Sequence, residues 1–169
     1  MNTFAHLLHM SKMLKNLDAW LGRGAEHAAA RSFDPDVLLQ ARLAPDQFPL
    51  VRQIQGACDQ AKFAAAYLSG KEAPPHPDTE TSYAEIRQRI ATCLAYLEGF
   101  EAKDFAAAAE RRVSPRWLHG RALTGEDYLV HVAIPNFHFH LCMAYALLRH
   151  NGVPLGKADF LGGVPLIPE

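Results

Sequence analysis

Asp46-Gln-Phe-Pro-Leu-Val-Arg-Gln-Ile-Gln-Gly-Ala-Cys-Asp-Gln-Ala-Lys-Phe-Ala-Ala-Ala-Tyr-Leu-Ser-Gly70 is the stretch that decides the fold. Phe48, Val51, Ile54, Cys58, Ala61, Ala65 and Leu68 recur by threes and fours, the seam of a helix packed in a bundle from about residue 46 to residue 68. Gly70 supplies the stop. Rotated by one residue from the seam runs a polar row, Arg52, Gln55, Asp59 and Lys62. The row is either a solvated flank or a lining of the bundle interior. In the second case Asp59 needs a cation, an imidazole or a metal beside it, because an unpaired buried carboxylate is too costly.

Downstream, Gly70-Lys-Glu-Ala-Pro-Pro-His-Pro77 cannot be helical and reads as a stiff crossover. Ser82-Tyr-Ala-Glu85 has the capping-box spacing, and Tyr83, Ile86, Ile90, Leu94 and Leu97 continue it as a third helix. Upstream, Phe4, Leu7, Leu8, Met10, Leu14, Leu17 and Leu21 predict one long helix over residues 2–29. Asp34-Pro35 starts a short helical turn through Gln40, and Ala44-Pro45 breaks it. Residues 99–123 read as a loop able to carry a two-stranded ribbon around Arg111-Arg-Val and Arg121-Ala-Leu. Thr124, with Asp127 three positions on, caps a fourth helix that runs to His150 and ends at Asn151-Gly152. Pro135 lies inside it, removes one hydrogen bond and bends the axis. The tail from Val153 reads as extended and docked on the bundle. Together these elements predict an all-α chain: a single domain over residues 1–169, a four-helix bundle with a long connection between its second and third helices.

A chain of 169 residues, 49% of them hydrophobic, can bury a sizeable core without disulfides. A formal charge of −1 with both signs interspersed leaves no basic face for nucleic acid or an anionic membrane. No apolar run reaches membrane-spanning length, and the N-terminal residues lack the basic and apolar regions of a signal peptide. Cys58, Cys93 and Cys142 are odd in number and far apart, each in an apolar helical pattern. They read as reduced core thiols of a cytoplasmic protein. Phe4, Leu7, Leu8, Met10 and Met13 form more than one apolar stripe on the first helix, which predicts a homodimer through helical surface.

Polar groups that could do chemistry gather in Tyr128-Leu-Val-His-Val-Ala-Ile-Pro-Asn-Phe-His-Phe-His140, where His131, Asn136, His138 and His140 interrupt an apolar run. At about 100° per residue, His140 shares a face with Asn136 while His138 points nearly opposite. Asn136 and His140 have the i,i+4 spacing at which two side chains converge on one ion. Alternatively, Asn136 bonds backbone freed by Pro135 and His140 bonds a carboxylate or carbonyl in the core. His131 and His138 read as a subunit contact or a solvated edge. No nucleophile elbow, phosphate loop or CxxC is present, and Ser and Asp are not arranged for a triad.

Longer motifs add to this. Ala41-Arg-Leu-Ala-Pro-Asp-Gln-Phe-Pro-Leu50, Arg52-Gln53, Cys58-Asp59, Pro135-Asn-Phe-His-Phe-His140 and Leu148-Arg-His-Asn-Gly-Val-Pro-Leu-Gly-Lys-Ala-Asp-Phe-Leu-Gly162 resemble a bacterial domain-of-unknown-function family of the DinB-like superfamily, over nearly the whole chain. The resemblance implies an up-down-down-up bundle, dimers through helices, and descent from metalloproteins with three His ligands. In that superfamily one ligand comes from the second helix and two from an HxxxH on the fourth. Here the pair falls on Asn136 and His140, and no His occurs between residues 36 and 69, so Asp59 is the nearest replacement. The expected site is therefore Asp59, Asn136 and His140, a pocket between the second and fourth helices for a divalent metal, nickel or zinc, or a small polar ligand. Hydrolysis or thiol-linked transfer is the chemistry the resemblance implies. The competing expectation is a non-catalytic dimeric stress or interaction protein that has lost the metal site.

Overall fold

The computed structural model describes residues 2–167. Its long helices are α1 (Thr3–Ala30), α2 (Leu50–Ser69), α3 (Tyr83–Glu98) and a fourth built from α4 (Gly125–Tyr128), a π-helical turn (Leu129–Ala133) and α5 (Ile134–His150). Cross-helix contacts give the direction of each. Gly24 of α1 lies against Tyr83, the first residue of α3, while Lys15 pairs with Glu98, the last, so these two run antiparallel. His9 meets His138 and Trp20 meets Tyr145, so α1 and α5 run parallel. Gln53 meets His140 while Tyr67 meets Tyr128, so α2 opposes the fourth helix. It follows that α2 and α3 run the same way, and the bundle is up-down-down-up.

A parallel α2 and α3 explain the proline-rich connection. The 20 residues of α2 are about 30 Å long. Residues 71–82, extended at about 3.1 Å each, reach about 37 Å, enough to return along the whole of α2. Gly70, at φ +78°, makes the left-handed C-cap that starts this return. Ser82 and Glu85 form the capping box that ends it.

Several expectations change. The second helix begins at Leu50 rather than near residue 46, because Pro49 takes the N-cap position with extended backbone and a residue before proline is kept out of the helical region. Phe48 therefore leaves the seam and is 56% exposed. Cys58 and Cys93 are buried, but Cys142 is exposed: the buried stripe of α5 is Phe137, Leu141, Ala144, Leu147 and Leu148, and Cys142 is turned about 100° from Leu141. Leu7, Met10 and Met13 share the core stripe of α1 with Leu14, Leu17, Trp20 and Leu21, and Phe4 packs on Phe105, so only Leu8 is left outside. Pro135 is met by a widened π turn just before it, not by a simple bend.

The ribbon between the third and fourth helices is present as β1 (Arg112–Val113) and β2 (Leu123–Thr124), antiparallel. The tail docks but is not wholly extended. Lys157–Leu161 forms α6, whose start is satisfied by Asp159 accepting from the Gly156 N–H. Trp20 donates its indole N–H to the Asp159 carbonyl at 2.9 Å and stacks on Phe160. Among the described residues no helix is long and apolar enough to cross a membrane.

Candidate functional site

The polar row of α2 lies against the returning crossover: Gln55 and Lys62 are buried, Asp59 is half-buried and Arg52 stays exposed at the edge. Asp59 Oδ1 pairs with Arg89 of α3 at 2.8 Å and with Lys62 at 2.9 Å. Arg89 also donates to Glu80 at 3.0 Å, to Asp78 at 3.2 Å and to the Pro77 carbonyl at 3.1 Å. Arg52 pairs with Asp78, and Gln55 donates to Glu80 at 2.7 Å. Three cations, Arg52, Lys62 and Arg89, thus meet three carboxylates, Asp59, Asp78 and Glu80. Burial works against the Arg89 cation, yet Asp59 and Glu80 hold its pKa above the ordinary value. This network pins residues 77–80 to α2 and α3.

His140 is fixed by a different partner. Gln53, almost fully buried, donates its amide N–H to the Phe48 carbonyl at 3.1 Å, which turns its carbonyl oxygen toward His140 Nδ1 at 2.9 Å. That oxygen can only accept, so Nδ1 carries the proton and Nε2 keeps a lone pair. The ring lies against Gly56, where a Cβ would come within 2.6–2.8 Å of three ring atoms. Burial lowers the His140 pKa; Asp59 opposes this and Arg52 adds to it.

A histidine whose folded pKa is lowered binds fewer protons folded than unfolded, so its contribution is intact above the unfolded value of about 6.5 and is lost as pH falls below it. Burial likewise lowers His9 and His76, so three groups act in the same direction. Urea unfolding at pH 7 and pH 5 is expected to show lower stability at pH 5, and His140→Gln should flatten that slope. An unchanged slope in the variant contradicts the assignment of a neutral buried His140.

Asn136 opens onto a cavity of about 420 Å³ between α2 and the fourth helix, lined by Gln60, Phe63, Tyr67 and Tyr128 and bordered by Arg116 and Trp117 from the connection between β1 and β2. Among the described residues Arg116 has no carboxylate within ion-pair distance. The structure therefore gives the three expected site residues three different surroundings: Asp59 turns to α3, His140 to Gln53 and Gly56, and Asn136 to the cavity. No hydrogen bond joins any two of them. Gln60, not Asp59, shares the cavity with Asn136. The signal was present as a second row on α2, Gly56, Gln60, Phe63 and Tyr67, spaced by four, three and four. Among the described residues no three His, Cys, Asp or Glu side chains gather as a group able to hold a metal ion.

Residues 5–161 match a family described as a domain of unknown function, DUF1993. No curated protein matches the chain. A solved structure similar to it is the crystal structure of a DinB family member protein from Shewanella denitrificans, 49% identical, covering 96% of this chain and 93% of that one with a TM-score of 0.93. That likeness extends over all four helices and agrees with the up-down-down-up order read from the contacts. The chain belongs to the DUF1993 family of DinB-like helical bundles.

Proposed function

We propose that the chain binds a small planar carboxylate in the cavity between α2 and the fourth helix. The observation that carries this reading is the combination of aromatic walls, two amides and an Arg116 with no carboxylate partner among the described residues, around one volume of about 420 Å³. Phe63, Tyr67, Trp117 and Tyr128 give the cavity aromatic walls suited to a flat ligand. Gln60 and Asn136 offer donors and acceptors, and Arg116 offers a fork-shaped cation matched to a carboxylate.

The inherited metal does not fit these residues. Asp59 is held by Arg89 and Lys62, Gly56 stands against the His140 ring, and the amides of Asn136 and Gln60 are poor ligands for nickel or zinc. Benzoate and benzamide, as a planar anion and its neutral counterpart, test the ligand reading by saturation-transfer NMR. Benzoate is expected to bind, and Asn136→Ala and Arg116→Ala should each weaken it about tenfold. Absence of binding, or binding unaffected by both changes, overturns the proposal. Uptake of one equivalent of nickel or zinc that disappears in His140→Ala would replace the carboxylate with a metal.

Assembly is proposed on narrower ground than the first helix alone suggests. Leu8, Val130 and Phe139 remain exposed at 55%, 41% and 50%. Light scattering at micromolar concentration should give twice the chain mass of 18.7 kDa if helical surface carries a homodimer; the mass of a single chain contradicts it.

A further inference from the structure

A pair of imidazoles lies away from this cavity, on the side of α5 that meets α1. His9 and His138 bring Nε2 to within 3.3 Å of Nε2, with ring planes 21° apart and centroids 5.5 Å apart. His138 Nδ1 is 2.9 Å from the Ile134 carbonyl, which can only accept, so Nδ1 carries the proton and Nε2 presents a lone pair. In the pair as it stands, His9 donates its Nε2 proton to that lone pair. Moving the His9 proton from Nε2 to Nδ1 leaves both rings neutral and turns two lone pairs toward the gap between the helices.

We propose that His9 and His138 form a two-histidine chelate for a zinc or copper(II) ion, with water completing the coordination. Metal–nitrogen bonds of about 2.0–2.1 Å at a tetrahedral angle place two imidazole nitrogens about 3.3–3.4 Å apart. The observed separation already has this value, and binding turns each ring from aiming at the other nitrogen to aiming at the shared ion, about 35° off the line between them. The Ile134 carbonyl is the outer partner that holds the ligating tautomer, the arrangement that metal-bound histidines ordinarily have. Neutral imidazole is the binding form, and partial desolvation of the ring together with His138, Lys12 and His6 keeps the His9 pKa low. The two ligands come from residues 129 positions apart, so the ion clips α1 to α5. Neither residue belongs to the pair Asn136 and His140, which faces α2.

Tag-free protein stripped with chelator, in a Cys142→Ser background so that the exposed thiol cannot bind metal, is titrated calorimetrically with zinc and with copper(II). One equivalent should bind, copper more tightly than zinc, and metal should raise the melting midpoint. His9→Gln and His138→Gln should each abolish saturable binding and the metal-induced shift, while His140→Ala retains both. His9 is exposed and His138 half-buried, so the metal-free midpoints of these two variants should match that of the parent. No saturable binding in the parent, or full binding in either glutamine variant, overturns the chelate. Binding lost only in His140→Ala also overturns it, and instead supports a metal at the α2 cavity.

Discussion

Arg89→Ala is expected to cost about 3–5 kcal/mol of folding stability, because it removes the centre of a largely buried ion network. The Arg89 side chain is 3% exposed and bonds Asp59, Asp78, Glu80 and the Pro77 carbonyl at once. Its carboxylate partners keep some solvent contact, which places the cost near the lower end of the range. Arg89→Lys should recover little, since one ammonium cannot reach four acceptors in the directions a guanidinium spans. The same loss frees the crossover, so limited proteolysis should open new cleavage within residues 71–82. Urea melts in which Arg89→Ala falls within about 0.5 kcal/mol of wild type, the range of ordinary surface changes, contradict the lock.

Asp59→Ala is expected to follow at about 3 kcal/mol, for a reason specific to Lys62. The Lys62 side chain is 4% exposed, and among the described residues Asp59 is its one carboxylate partner, the Phe63 ring face being its other contact. Removing Asp59 leaves a buried ammonium unpaired, whereas Arg89 keeps Asp78 and Glu80. Adding Lys62→Met to Asp59→Ala should restore much of the loss, because an apolar chain of similar length fills the space without a charge. The contrast with Asn136→Ala is the informative one. Asp59→Ala should lower stability and leave benzoate binding intact; Asn136→Ala should lower stability by less than about 1 kcal/mol and weaken benzoate binding. An Asp59→Ala variant that is stable but does not bind would move Asp59 into the site.

The parts of the fold legible in the sequence were the local ones. The capping box Ser82–Glu85, the Thr124 cap, the Gly70 stop and the stripe of α1 each depend on residues a few positions apart. The ribbon was readable for the same reason. The start of α2 was misplaced because Phe48 fits the seam by spacing, while Pro49 overrules spacing through backbone sterics. The assignment of Asp59 turned on about 100° of helix rotation: the row through Asp59 faces α3 and the crossover, and the row through Gln60 faces the fourth helix. Which neighbour covers which row is a tertiary fact, absent from the periodicity of α2 alone. The row through Gln60 is visible in the spacing of α2, but Gln60 carries no charge to mark that row as the one facing a site. The His9–His138 contact is less legible still, since 129 positions separate its members and His138 by itself reads as a subunit contact or a solvated edge.

We propose the cavity bordered by Gln60, Asn136, Arg116 and Trp117 as the ligand site, with Asp59 and Arg89 serving the fold. Its most direct test is NMR of uniformly 15N-labelled protein titrated with benzoate, following side-chain signals. Shifts are expected in the Gln60 and Asn136 amides and the Trp117 indole N–H, with the Arg89 Nε–H unmoved. Shifts centred on Arg89, with Gln60, Asn136 and Trp117 unchanged, would contradict it and place the site under the crossover instead.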